Sequence, residues 1–258
     1  MVSSKTIQES LNDKIIKISA QGLDSIYRIK LAIEKTVDES LNIIVPVGTV
    51  FMALACALTQ RTVAAHTCVI PLLGRKKDKK EAEIPVFCLD REKDQPKEDN
   101  YLGLSDLNAS DEIMRILTIS NKDGVLVHQK FPKEFINFIV QHAIWFSVPE
   151  ENNRLSFTAI KKTFHQILID RIKLPSENKE DLLNDGSMRL RLRKDTFRCL
   201  YSLITLLKES HIDIEMDLDD FILNEYLEKI EKDQFSRIKL EDRKIYKVSN
   251  SSILTPDG

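Results

Sequence analysis

Two apolar runs rich in β-branched residues flank a short segment that is almost entirely cationic. The first run spans residues 67–74 and the second spans residues 82–90, with Arg75-Lys-Lys-Asp-Lys-Lys80 between them. Apolar runs bounded by polar residues predict β-strands, and two such runs in succession predict a hairpin. The sequence therefore predicts a hairpin whose end, here called the basic tip (residues 75–80), carries one acid and five cations. These cations are Arg75, Lys76, Lys77, Lys79 and Lys80.

The composition favours helix over most of the remaining chain. Of 258 residues only 7 are glycine and 8 are proline, whereas leucine, lysine and glutamate, which cost little in a helix, are abundant. A hydrophobic content of 42% is sufficient for a folded core, so wholesale disorder is not expected. We expect an α+β fold that is predominantly helical, with central apolar helices and one or two β-hairpins.

Hydrophobic periodicity places the expected elements. Thr6-Ile-Gln-Glu9 matches a capping box, and apolar residues follow it every three or four positions. The expected helices lie at 6–18, 24–37, 49–65, 131–146, 156–172 and 218–230, with one more whose core face is Phe197, Leu200, Ile204 and Leu207. The other expected strands lie at 43–47 and 244–248, and at 115–120 and 125–129 as a second hairpin with an Asp-Gly turn.

Polar segments suggest where the chain divides. Residues 147–153 are the best candidate for a boundary, and residues 91–100, with one proline among nine polar or charged positions, predict a solvated loop or a linker. We expect an N-terminal α+β domain with the basic hairpin at 1–148 and a mostly helical domain at 149–258. A single continuous domain is the alternative.

A second basic segment alternates apolar and cationic side chains from Met188 to Lys194. As a strand, it would place its arginines on one face about 6.6 Å apart, at a rise of roughly 3.3 Å per residue, and could follow successive phosphates. As a helix, it would spread the same arginines around its surface. An acidic loop at 175–186 also offers intramolecular partners, so both interpretations stay open. The residues concerned are Arg189, Arg191, Arg193 and, beyond them, Arg198.

The basic tip has a structural interpretation as well. Lysines at a turn increase solubility, and charged residues on an edge strand protect it from pairing with other chains. Pro71 and Pro85 favour edge strands, since neither can donate to a β-ladder.

Motifs of catalysis and metal binding are missing from the sequence. It has no GxSxG, GxxxxGK[ST] or GxGxxG, its five histidines show no metal-binding spacing, and no CxxC occurs. Residues 211–220 are acidic but lack the glycine and the closing glutamate of an EF-hand loop. We expect no catalytic residue, no metal and no cofactor. The four cysteines, expected as free thiols of a reducing compartment, are Cys56, Cys68, Cys88 and Cys199.

A net charge of −2 gives no global field that would attract nucleic acid, so recognition must come from local patches. We expect a non-catalytic subunit of a larger assembly that contacts single-stranded nucleic acid through the basic tip and the arginine segment. The alternative is a protein–protein adaptor whose charged faces meet other subunits, and an enzyme is the third possibility. The N-terminus has no apolar signal region and no stretch predicts a membrane span, so we expect a cytoplasmic protein without membrane partners.

Overall fold

The computed structural model describes residues 2–55, 57–73, 75–121, 133–148, 157–170 and 186–212. Contacts divide the described chain into two compact units: residues up to 121 together with 143–148, and residues 133–142 together with the later segments. In chain order the elements are β1 (Ser3–Thr6), α1 (Ile7–Asn12), β2 (Ile16–Gly22), β3 (Arg28–Lys35), β4 (Leu41–Val45), β5 (Val50–Ala53), β6 (Thr62–Ala64), β7 (Cys68–Leu72), β8 (Lys79–Cys88), β9 (Tyr101–Leu104), α2 (Asp111–Ser120), α3 (Lys133–Ser147), α4 (Phe157–Asp170) and α5 (Gly186–Glu209).

The first unit is built on a closed barrel of six antiparallel strands in the order β2-β3-β8-β6-β5-β9, with β9 returning to β2. Beside it lies a three-stranded sheet in the order β1-β4-β7, in which β1 and β4 run parallel. The expectation of a predominantly helical fold around central apolar helices is therefore wrong. Closure of the barrel leaves its six strands without a free edge.

Strand β3 occupies the segment where a second amphipathic helix was expected. Ile29, Leu31 and Ile33 are buried at every second position, and the residues between them are partly exposed. The apolar spacing of residues 26–37 matches both periods, so local pattern alone did not distinguish strand from helix. Pairing with β2 on one side and β8 on the other settles the choice.

The expected central helix at 49–65 is also wrong. Its residues form β5 and β6, which contribute Phe51 and Val63 to the core, joined by a loop. This loop exposes Leu54 and Leu58 rather than burying them.

The strands that flank the basic tip are present, but they do not form a hairpin. Strand β7 pairs with β4, whereas β8 pairs with β3 and β6. The strand expected at 43–47 is confirmed as β4, and its inward residues Leu41, Ile43 and Val45 pack with Ile70 and Leu72 of β7 in the core. The tip therefore connects the small sheet to the barrel.

At the N-terminus the capping box is confirmed. The Thr6 side chain accepts a hydrogen bond from the Glu9 amide, and the Glu9 carboxylate accepts one from the Thr6 amide at 2.8 Å. The helix is shorter than expected because it ends at Asn12 and the chain enters β2 at Ile16.

The prediction of a second hairpin is wrong for its first strand. Residues 115–120 belong to helix α2, which Ser110 caps by accepting a hydrogen bond from the Ile113 amide. The expected turn and the strand at 125–129 lie outside the described residues.

Residues 91–100 form a loop, as expected, but it is fastened to the barrel. Pro96 is buried, the Gly22 amide donates to the Asn100 carbonyl at 3.2 Å, and the Gln60 amide donates to the Asp94 carbonyl at 2.9 Å. These long-range hydrogen bonds argue against a linker between domains.

The second unit is helical in its described part. Helices α3, which belongs to this unit up to His142, and α4 confirm the helices expected at 131–146 and 156–172. Helix α5 buries three of the four expected core residues, Leu200, Ile204 and Leu207, whereas the side chain of Phe197 lies outside the described residues. No described helix is long and apolar enough to cross a membrane. The boundary segment from 149, the acidic loop up to residue 185, the helix at 218–230 and the strand at 244–248 lie outside the described residues.

Candidate nucleic-acid interface

The basic tip is a turn held by main-chain hydrogen bonds. The Asp78 amide donates to the Arg75 carbonyl at 3.0 Å, and Lys77 adopts a left-handed backbone with φ of 71°. The Lys77 amide donates to the Lys35 carbonyl at 2.8 Å, and the Lys35 amide donates to the Asp78 carbonyl at 3.0 Å. The tip thus continues the pairing of β8 with the end of β3.

One further contact fastens the tip to the turn between β3 and β4, and another holds that turn itself. The Lys76 amide donates to the Asp38 carboxylate at 2.9 Å. Lys35 itself is fully buried, and its ammonium group donates to the Glu39 carbonyl at 2.9 Å. A buried ammonium group is costly unless it is hydrogen-bonded, so this contact fixes the turn against which the tip rests.

One of the five tip cations is neutralised within the chain. The Lys79 ammonium group lies 3.1 Å from the Glu34 carboxylate across the β3–β8 pair. Farther along the same two strands, Lys30 pairs with Glu81 at 2.7 Å and Arg28 pairs with Glu83 at 2.9 Å.

The other four tip cations are available. Arg75, Lys76, Lys77 and Lys80 are exposed, and within the described part of the chain they have no ion pair. Asp78 is the one acid in the tip. The structure therefore presents four exposed cations on a fixed turn.

The second basic segment does not form an extended row. It lies in helix α5, where positions two residues apart are separated by about 200° around the axis. Of the three arginines in this segment and Arg198 beyond it, only Arg198 has a described side chain, which lies 3.2 Å from Asp195 and is 23% exposed. Arg189, Arg191 and Arg193 lie within the helix, with side chains outside the described part. The structure thus groups the tip cations and does not align the arginines as a strand would.

No catalytic constellation emerges from the described residues. They hold no group of three or more metal-binding side chains. Burial raises the pKa of the Cys88 and Cys199 thiols to about 12, so neither forms a thiolate near neutral pH. His142 is buried, with its Nδ1 2.8 Å from the Phe138 carbonyl and its ring 5.2 Å from that of Phe164, as expected for a packing histidine.

One ion pair between a buried carboxylate and a partly exposed arginine was not predicted from the sequence. The Arg61 guanidinium contacts the Asp90 carboxylate through two nitrogens at 3.0 and 2.5 Å, and the Arg61 amide donates to the same group at 2.8 Å. Burial opposes ionisation of this carboxyl, but the hydrogen bonds from Arg61 outweigh it and lower the pKa of Asp90. The pair joins the start of β6 to the end of β8, so its role is structural.

Sequence reasoning also missed an exposed apolar surface. Met52, Leu54, Leu58 and Tyr101 are 42%, 69%, 71% and 62% exposed, although large apolar residues are usually buried. Leu54 lies over Gly103, where a Cβ atom would stand 2.6 Å from the Leu54 Cδ2 atom. Three of the four residues lie in the segment 49–65, which was expected to be a buried helix, so their exposure was not predicted. The polar run Thr59-Gln-Arg-Thr62 was the feature of the sequence that argued against a buried helix there.

A concavity of about 350 Å³ opens beside this surface. Leu54, Tyr101 and Gly103 line one side, and Gln8 and Leu11 of α1 line another.

Comparison with other proteins gives no relative. No family model matches the chain, and neither the curated proteins nor the solved structures contain a significant match.

Proposed function

We propose that the protein is a non-catalytic subunit of a larger assembly that contacts single-stranded nucleic acid through the basic tip. The observation that carries the proposal is the fixed turn with four exposed cations that have no ion pair in the described chain: Arg75, Lys76, Lys77 and Lys80. A turn already held by main-chain hydrogen bonds loses little conformational entropy when it binds.

The charge distribution determines what kind of binding is expected. Cations that neutralise phosphates release condensed counterions, so affinity falls as salt rises. The net charge of −2 keeps the rest of the chain from adding long-range attraction, and binding by the protein alone should be weak. No aromatic residue lies in the tip to stack on bases, so little sequence preference is expected.

The test is a titration of a labelled single-stranded oligonucleotide at low and at physiological salt. Arg75→Gln combined with Lys76→Gln removes two tip charges. The hydrogen bond from the main-chain N–H of residue 76 to the Asp38 carboxylate does not involve the replaced side chain and stays intact. We expect weaker binding at low salt and a log–log salt slope that is flatter by about 1.4, at roughly 0.7 for each phosphate contact to a single strand.

The matched control removes two exposed lysines outside the tip, through Lys97→Gln combined with Lys162→Gln. It should leave the salt slope unchanged. Equal losses in both double variants, or no binding by the wild-type protein at low salt, would refute the proposal.

A second candidate function is that of a protein–protein adaptor. The exposed apolar side chains of Leu54, Leu58 and Tyr101 favour it, because such surfaces on soluble proteins are typical of partner contacts. Copurification with and without nuclease treatment separates the two functions. Partners that persist after nuclease, and are lost in Leu54→Ser combined with Leu58→Ser, would support the adaptor.

A cytoplasmic location is part of the proposal. Cys68, Cys88 and Cys199 are free thiols, which is typical of a reducing compartment.

A further inference from the structure

The two ends of the barrel carry opposite chemistry. The basic tip lies where β3 ends and β8 begins, since Glu34 pairs with Lys79 in the ladder. The other end is where β8 ends and β9 begins, since Cys88 pairs with Thr62 and Tyr101 pairs with Gln21.

The end opposite the tip, here called the acidic apolar end, combines the exposed apolar side chains with acids. The Asp94 amide donates to the Leu58 carbonyl at 2.9 Å, and the Gln21 side chain donates to the Glu98 carbonyl beside Tyr101. Asp94, Glu98 and Asp99 are exposed, and no ion pair joins them to any residue in the described ranges. The same loop holds Arg91, which pairs with Glu92, Lys93, which pairs with Asp90, and the exposed Lys97. Among the described residues of this loop, acids without an ion pair therefore outnumber such cations three to one. The surface consists of Met52, Leu54, Leu58, Tyr101, Asp94, Glu98 and Asp99.

The basic end also carries an exposed apolar residue. Leu73 lies two residues before Arg75 and is 66% exposed. Cations and an aliphatic side chain are therefore presented together at one end, and acids with aliphatic and aromatic side chains at the other.

We propose that this protein associates head to tail, with the basic tip and Leu73 of one copy docking on the acidic apolar end of a second copy. The occupant follows from complementarity, because each end offers the charge that the other lacks, and both ends offer apolar contact. In the proposed contact, Leu73 of the incoming copy would enter the concavity beside Leu54 and Tyr101. This inference does not rest on the nucleic-acid proposal, although the two would compete for the tip.

Head-to-tail contact uses two different surfaces, so it does not close at two copies unless the rotation forms a ring. The association should therefore proceed beyond the dimer as the concentration rises. Because its electrostatic part lies between exposed charges, salt should weaken it.

The test measures the mass of the full chain by sedimentation over a range of concentrations at low and high salt. Two variants reverse charge at one end each: Arg75→Glu combined with Lys76→Glu and Lys80→Glu at the tip, and Glu98→Lys combined with Asp99→Lys at the acidic apolar end. Each variant places like charges at both ends, so each alone should be monomeric.

Mixing the two variants provides the rescue. The mixture again contains an acidic tip facing a basic end and a basic tip facing an acidic end, so association should return. Circular dichroism and thermal unfolding of each variant check that both are folded. A wild-type protein that stays monomeric at low salt, or association unaffected by the Glu98 and Asp99 reversal, would overturn the inference.

The oligonucleotide titration separates this inference from the proposed function. Reversal at Glu98 and Asp99 should abolish self-association and leave nucleic-acid binding intact, whereas the tip reversal should abolish both. If the wild-type protein is monomeric but still binds the oligonucleotide, only the head-to-tail inference is refuted and the proposed function stands.

Discussion

The backbone of Gly22 lies directly against that of Pro96. A Cβ atom at position 22 would stand 2.4 Å from the carbonyl carbon and oxygen of Pro96, and the Gly22 amide donates to the Asn100 carbonyl. This close approach is how the end of β2 holds the loop at 91–100, and with it the acidic residues Glu98 and Asp99.

Gly22→Ala should destabilise the first unit, because the atoms it would displace are backbone and cannot rotate away. We expect a loss of about 1–3 kcal/mol in the free energy of unfolding, as for overpacked sites. Urea unfolding followed by circular dichroism measures it. Gly186→Ala is the control, since no atom lies within 4 Å of its Cβ position, and it should cause no loss of stability. If the Gly22 variant and the wild-type protein are equally stable, the loop at 91–100 moves to accommodate the methyl group without a cost in stability.

The Arg61–Asp90 pair should make stability depend on pH at the acid end. Because the folded pKa of Asp90 is lowered from its ordinary value of 3.8, its contribution is fully present above that pH and is lost as pH falls through the folded pKa. Asp90→Asn should cost about 1.5–3 kcal/mol at neutral pH, the range for hydrogen bonds to charged groups. The difference from wild type should shrink below about pH 4.

Unfolding at a series of pH values measures the difference. Asp99→Asn is the matched control, because Asp99 is exposed and has no ion pair among the described residues. Its stability should differ little from wild type at any pH. A pH-independent difference for Asp90→Asn would contradict the assigned role of ionisation.

Gly48 has both a special backbone and a close neighbour. Its φ of 85° strains any other residue, and a Cβ atom would stand 2.2 Å from the Met114 sulfur of α2. Gly48→Ala should therefore lose stability for two reasons, of which the left-handed backbone accounts for about 1–2 kcal/mol.

A double-mutant cycle with Met114→Ala separates these reasons. Removing the Met114 side chain relieves the clash and leaves the strain, so the double variant should lose less stability than the sum of the single variants. Additive losses would show that Met114 moves aside without cost.

The described cysteines should differ in reactivity. Cys68 is half-buried, whereas Cys88 and Cys199 are buried thiols with pKa values near 12. Alkylation of the folded protein at pH 8, followed by peptide mass spectrometry, should modify Cys68 before the other two. Denatured protein is the control and should be modified evenly. Early modification of Cys199 would mean that α5 opens readily.

Features that depend only on residues close together in the chain could be predicted from the sequence. The capping box at Thr6–Glu9 involves four consecutive residues, so it was readable without the fold. The strand at β4 and the helices α3 and α4 followed from their hydrophobic pattern, and the cations of the tip followed from composition alone.

Pairing between distant segments was decided only by the tertiary structure. The residues near β7 do not indicate that it pairs with β4 rather than with β8. Either pairing would bury the same apolar residues of β7, so the hydrophobic pattern does not distinguish them. The segments at 24–37 and 49–65 fit helical spacing, but the barrel buries Ile29, Leu31 and Phe51 by closing six strands on one another. Once those segments are strands, the loop between β5 and β6 and its exposed leucines follow. The sequence by itself thus determined the basic tip, whereas closure of the barrel created the surface at its opposite end.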